Sequence, residues 1–216
     1  MKSVLAGVLL AGAVLVPLAS AANGEPQKAY TKADQARAKA ASLRLADLGA
    51  GWKATPAGSD DSSPRCSTYN PNQSDLVETG KYSSPNFMRS ADGSFVAATT
   101  GVFRTAMMAG KAYSRVATPA LPGCFGELFT KGIAKPTSAK VVSVGRLAFP
   151  RVGDRSIAYR LVAAVTTKLA TVPVTIDLVT FTKGRTDVAL IMAGTLKAFP
   201  AAFEQAAAMR VLSRVT

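Results

Sequence analysis

Between residues 141 and 193 the apolar residues of this chain keep a period of two. Ile157, Tyr159, Leu161, Ala163 and Val165 fall on alternate positions, the spacing of a strand with one face against a core. Val172, Val174, Ile176 and Leu178 repeat the device against Pro173, Thr175 and Asp177, and Pro173 puts that run at a strand start or a sheet edge. Val188, Leu190 and Met192 share a third face, although Ala189 and Ile191 blur its contrast. Residues 141–149 are apolar and β-rich, interrupted by Arg146. The pattern predicts four strands here. Their links, at residues 150–154, 167–171 and 183–185, are far shorter than the crossover of a dozen residues that parallel neighbours need, so the sheet is expected to be antiparallel. Gly153 with Asp154, and Gly184 between Lys183 and Arg185, supply the first and third turns.

A period near 3.6 takes over elsewhere. Ala33, Ala36, Ala40 and Leu43 mark a first helix over residues 28–48, with Thr31 and Asp34 in the positions of a capping box whose carboxylate is one carbon short. Lys32, Arg37, Lys39 and Arg44 fill the rest of its surface. Such a helix could lie on a membrane, but its apolar face is mostly alanine, so a solvated face is the expected reading. Gly49 and Gly51 end it and deliver Trp52, the only tryptophan, expected as a core plug rather than a ligand platform. Residues 55–72 have the composition of a surface loop. Residues 94–104 form a fifth strand candidate. Thr105 can cap a helix carrying Ala106, Ala109, Tyr113 and Val116, which Thr118 and Pro119 stop. A short helix follows with Leu121, Cys124, Phe125, Leu128 and Phe129 on one side. A last helix, with Pro200 at its first position, carries Phe199, Phe203, Ala207 and Val211 at intervals of four. The fold class expected is α+β: an antiparallel sheet of about five strands with helices packed mainly on one face.

The N-terminus changes the setting. Lys2, an apolar run from Val4 to Leu18 and the small residues Ala19-Ser20-Ala21 read as a signal peptide over residues 1–21, followed by one domain over 22–216. A retained anchor is the alternative, but the apolar run is short for a membrane span. Export places the protein outside the cell or on the outer face of the envelope. Cys66 and Cys124 are then expected to form one disulfide, because that compartment is oxidising. In the chain-entropy account a bridge of that span stabilises by about 4 kcal/mol.

Charge and missing residue types narrow the chemistry. The formal net charge is +13, and the chain has no histidine. Acidic partners are favoured, such as an anionic envelope polymer or a lipid headgroup, unless the cations serve only solubility. Serine, cysteine and zinc mechanisms that need an imidazole are excluded. Asp60-Asp61, the one adjacent acidic pair, has too few oxygens around it for calcium and reads as solvated. Nucleic acid is not expected, since aromatics are not interleaved with the basic residues. No catalytic residue, metal ligand or cofactor is assigned. If the strand order is right, the turns carrying Arg151, Arg155, Lys183 and Arg185 emerge at one end of the sheet as an anion-binding patch, with Lys168 at the other end.

Gly51-Trp52 after the first helix, a loop cysteine answered by a helix cysteine, and Val152-Gly153-Asp154 opening a strand with Tyr159-Arg160-Leu161 resemble a broad group of actinobacterial secreted proteins and lipoproteins. That group is similar to the extracellular sensor domain of PknH-type receptor kinases. The resemblance runs over roughly residues 42–212 and implies an antiparallel sheet with helices on one side, a cleft for a ligand and no established catalysis. This chain has two cysteines where such domains commonly have four. The function expected is an exported, non-enzymatic ligand-binding or sensor-like module of the cell envelope, taking a small apolar or amphipathic ligand. The alternative is a basic structural or adhesion protein held on anionic envelope polymers, and a hydrolase without histidine, using Ser, Lys or carboxylate chemistry, comes third.

Overall fold

Residues 24–57, 66–132, 138–168 and 170–216 are described by a computed structural model. The signal segment 1–21 and the pair Asp60-Asp61 lie outside the described residues. The long β pattern folds as read: β6 (Ser138–Leu147), β7 (Arg155–Thr166), β8 (Thr171–Lys183) and β9 (Thr186–Thr195) follow one another as antiparallel neighbours. β5 (Ser94–Phe103) pairs antiparallel with β9 on the other side.

The sheet is larger than the expected five strands and is not wholly antiparallel. Among the described residues it has nine strands, with a principal order β1-β3-β5-β9-β8-β7-β6 and with β4 joining β2 to β5. β1 (Gln27–Lys28) runs parallel to β3 (Val77–Ser83), so the sheet is mixed. β2 (Trp52–Thr55) and β4 (Asn86–Arg89) are short, and only one or two side chains of each turn inward. β3 escaped the apolar pattern because, after Val77, its buried positions Glu78, Thr79 and Gly80 are polar or small. Glu78 accepts a hydrogen bond from the Tyr30 hydroxyl at 2.8 Å, and Gly80 lies against the backbone of Asp34, where a Cβ would collide.

The second correction concerns the helices, which cover both faces rather than one. α1 (Lys32–Ala41) and α4 (Ala201–Leu212) lie on one face, α2 (Ala106–Val116) and α3 (Leu121–Gly132) on the other. The sequence of β7 shows why. Ala158 packs with Val179, Phe181 and Ala207, whereas its neighbours Ile157 and Tyr159 pack with Leu121 and Cys124. Both faces of β7 are therefore covered, whereas in β9 the face of Ala189 and Ile191 is covered only in part, with Ile191 38% exposed.

Trp52 is 6% exposed and stacks on Phe199 and Phe203, with ring centroids 6.1 Å from each. It is a core residue. The first helix is shorter than its pattern: Ser42 turns extended, and a 3-10 turn at Leu45–Asp47 replaces the last part. Its Thr31 cap accepts from the Asp34 amide at 3.1 Å, but the Asp34 carboxylate faces Arg185 instead of the cap backbone.

α4 is seated by charge as well as by its apolar residues. Arg160 of β7 donates to both oxygens of Asp177 on β8, at 2.6 and 2.7 Å, and reaches Glu204 of α4 at 3.4 Å. Asp177 and Glu204 are 0% and 1% exposed. Burial pushes the Glu204 carboxyl up to about 8, assisted by the hydrogen bond and negative charge of Asp177 and opposed by Arg160. The Glu204 carboxyl is thus shifted towards its protonated form beside Asp177.

Cys66 and Cys124 form a disulfide with their Cα atoms 5.5 Å apart, tying the loop before β3 to the buried side of α3. Replacing both cysteines by serine should abolish the linked peptide in non-reducing mass spectrometry and lower the unfolding free energy in urea by about 4 kcal/mol. An unchanged midpoint would show that the loop is held without the bridge.

Candidate functional site

The two turns predicted to share an end of the sheet do so, through Asp154. Its amide donates to the Thr182 carbonyl at 2.7 Å, and its carboxylate accepts from the Gly184 amide at 2.8 Å. Gly153, at φ +66°, passes so close to the Thr182 carbonyl that a Cβ could not fit. Lys168 lies at the opposite end, in the link between β7 and β8.

The four basic residues of that end are not equivalent. Arg151 folds back on the Asp154 carbonyl at 2.8 Å. Lys183 is exposed at the tip of β8. Arg185 turns to α1, where it pairs with Asp34 at 2.6 Å. Burial alone would raise the Asp34 carboxyl, but bonds from Thr79 and Arg185 and the nearby charges of Arg185 and Arg37 hold it below the usual carboxylate range. Arg155 goes the other way, towards α2, and donates to the Gly110 carbonyl and the Ser114 hydroxyl, both at 3.4 Å. The patch thus divides: Arg185 is neutralised at its base, and Arg155 belongs to a separate feature.

That feature is an open groove of about 510 Å³ along the outer side of α2. Met107, Gly110, Lys111, Ser114 and Arg115 recur at helical spacing along it, and Arg155 closes one side. Ala109 and Ala112, on the opposite side of the helix, are buried against Leu76 and Phe103 and so aim the stripe outward. Gly110 leaves room for Arg155 to lie across the helix, 3.5 Å from where a Cβ would stand. Met107 is 66% exposed and gives the groove an apolar floor at one end.

The charge of the groove is positive. Lys111 and Arg115 share one carboxylate, Asp75, at 3.6 and 2.7 Å. The Arg115 bond, ahead of its charge and that of Lys111, keeps the Asp75 carboxyl ionised below its ordinary range. Arg155 pairs with no carboxylate among the described residues. Three cations against one carboxylate suit the capture of an oxyanion. Lys111 and Arg115 were missed in the sequence because α2 was read for its apolar side. The readable signal was Met107, Lys111 and Arg115 at intervals of four on the other side.

Beneath the groove lies an acid that the sequence also hid. Arg155, Thr182, Asp187 and Gly101 are successive partners across four strands, which places Asp187 under α2. Its Oδ1 is enclosed without a hydrogen-bond partner. Burial, and then the negative field of Glu78, push this carboxyl up to about 7. The Tyr113 hydroxyl is likewise raised by burial, against the pull of Arg146 and Arg155.

Comparison with known proteins adds the fold. No protein-family model matches the chain, and no curated protein matches its sequence. Among solved structures, the extracellular domain of PknH from Mycobacterium tuberculosis is similar, with a TM-score of 0.51 and 14% identity over 84% of this chain and 95% of that one. At that identity the likeness shows a shared fold. Among the described residues no helix is long and apolar enough to cross a membrane, and no group of three or more acidic, cysteine or histidine residues could hold a metal ion.

The raised carboxyls fix how stability responds to pH. An acid that keeps its proton longer in the folded state contributes stability below its unfolded value, and that contribution is lost as pH rises through the folded one. For Asp187 and Glu204 those folded values are about 7 and about 8, against 3.8 and 4.5. Urea midpoints should therefore fall as pH rises from about 5 to 8. Asp187→Asn and Glu204→Gln should each flatten part of that fall. A wild-type profile that rises over this interval would contradict the assignment.

Proposed function

We propose that this chain is an exported, non-enzymatic ligand-binding or sensor-like module of the cell envelope, and that its ligand presents an anionic group to Arg155, Lys111 and Arg115. An apolar portion of the ligand lies along Met107. The observation that carries this reading is Arg155: an exposed guanidinium with only two long hydrogen bonds and no carboxylate partner among the described residues, set beside an exposed methionine in a groove. A guanidinium binds carboxylate or phosphate with paired, directed hydrogen bonds, and the apolar floor adds area that a bare ion cannot use. The fold shared with an extracellular domain, the disulfide and the N-terminal apolar segment support a location outside the cytoplasm. The lack of histidine in the whole chain supports binding over catalysis.

A second reading, adhesion to anionic envelope polymers by charge alone, is favoured by the formal charge of +13. Salt separates the two, because exposed charges more than about 10 Å apart are screened at 0.1 M. Calorimetric titration with decyl phosphate at about 0.15 M salt should give saturable binding. Arg155→Gln should weaken it about tenfold or more, while Lys168→Gln, at the far end of the sheet, should leave it unchanged. Equal losses in the two variants would support charge alone and remove the groove from the account.

A further inference from the structure

The sheet face that α4 covers is not covered along its whole length. α4 packs over Val179, Phe181, Val188 and Leu190. Beyond Arg160 and Asp177, towards the Lys168 end, the same face carries Val162, Ala164, Thr175 and Pro173, which are half-buried or exposed. Lys140, Ala164 and Pro173 are successive cross-strand partners, and Leu196 continues their row through a hydrogen bond from its amide to the Pro173 carbonyl at 2.9 Å.

Two features of this end are costly in water. Leu196 is 69% exposed and sits at φ +68°, the one non-glycine residue with positive φ among those described. Leucine is disfavoured in that conformation, and the exposed side chain gains nothing from the core. Val142 is the extra residue of the bulge in edge strand β6 and is 65% exposed. Around them stand Lys140, Lys168 and Lys197, all exposed and none in an ion pair or hydrogen bond among the described residues.

We infer that this end of the sheet docks on an anionic lipid surface. Leu196 and Val142 enter the boundary between headgroups and acyl chains, and the three lysines pair with anionic headgroups while their stems lie along the apolar layer. Charge complementarity selects this occupant over a second copy of the chain, which would set lysine against lysine. The surface is separate from the α2 groove, which lies towards the other end of the sheet and stays accessible when the chain is docked. Its test is therefore independent of the groove.

The test uses the chain from Ala22 onward, which holds every element described above, so that residues 1–21 cannot themselves insert. It should cosediment with phosphatidylcholine vesicles containing about 30% phosphatidylglycerol and not with phosphatidylcholine alone. Each juxtamembrane lysine is worth about a fivefold change in affinity, so Lys140→Gln, Lys168→Gln and Lys197→Gln together should weaken binding about a hundredfold. The same number of changes at the opposite end, Arg151→Gln, Lys183→Gln and Arg155→Gln, should change it less than about threefold. Leu196→Gly relieves the backbone and should leave the melting temperature unchanged or higher, yet weaken vesicle binding about tenfold. Full binding by folded Leu196→Gly, or equal loss from the two charge triples, overturns the inference. So does a concentration-dependent dimer that Leu196→Gly abolishes in a chain that ignores vesicles.

Discussion

Arg160, Asp177 and Glu204 form an ionic cluster within the sheet, and the face beneath α4 is arranged around it. Removing a carboxylate from water costs several kcal/mol unless a partner meets it with good geometry. Arg160 meets Asp177 through two nitrogens and reaches Glu204 as well, whose carboxyl burial and Asp177 push upward. The pair can form only in one register of β7 and β8, and Glu204 can reach it only with α4 in one position. Phe203, Ala207 and Val211 then fall over the apolar part of the face, and Phe203 completes the stack with Trp52 and Phe199. The cluster also marks where the cover ends, since the strands continue past it towards Pro173 and Leu196.

The same economy of acids shapes the exterior. Asp34 and Asp47 are buried at helix–sheet and helix–helix junctions, where Arg185 and Arg214 hold them. Burial opposes ionisation of Asp47, but bonds from Arg214 and the Arg44 backbone, with the charges of Arg214 and Arg210, keep its carboxyl below the usual range. With 26 basic residues against 13 acidic ones, acids used inside leave exposed lysines such as Lys140, Lys168, Lys183 and Lys197 without a carboxylate partner among the described residues. Basicity is thus a property of the two sheet ends more than of any run in the sequence. At one end a groove with Met107 accompanies it, and at the other Leu196 and Val142 do.

The β7 to β9 part of the meander was legible because each of these strands buries at least one face and so shows a period of two, while β6, half-buried at best, was legible only as an apolar, β-rich run. Its turns were legible because Gly153 and Gly184 must take positive φ there. The strands that were not legible are those whose inward positions carry other constraints: Glu78 held by Tyr30, Gly80 pressed on α1, and Phe87 alone on its short strand. The second helical layer was legible as helices but not as a layer. The spacing of Ala109, Leu121 and Cys124 shows that α2 and α3 have an inward side, and helical periodicity carries no sign of which sheet face that side meets. Of the basic residues singled out, Arg155 acquired a site only through Gly110 and Ser114, forty-odd positions away in sequence. No local spacing could have joined them.

The central claim is that an anionic ligand seats between α2 and the start of β7, and amide chemical-shift mapping tests it residue by residue. Titration of the ¹⁵N-labelled chain with decyl phosphate should move the amides of Met107, Gly110, Lys111, Ser114 and Arg155 together, with one saturation curve. Amides beside Lys32, Lys53 and Lys197 should stay in place. Shifts spread evenly over every exposed lysine, rising without saturation, would contradict the claim and leave the charge of the chain as its whole means of recognition.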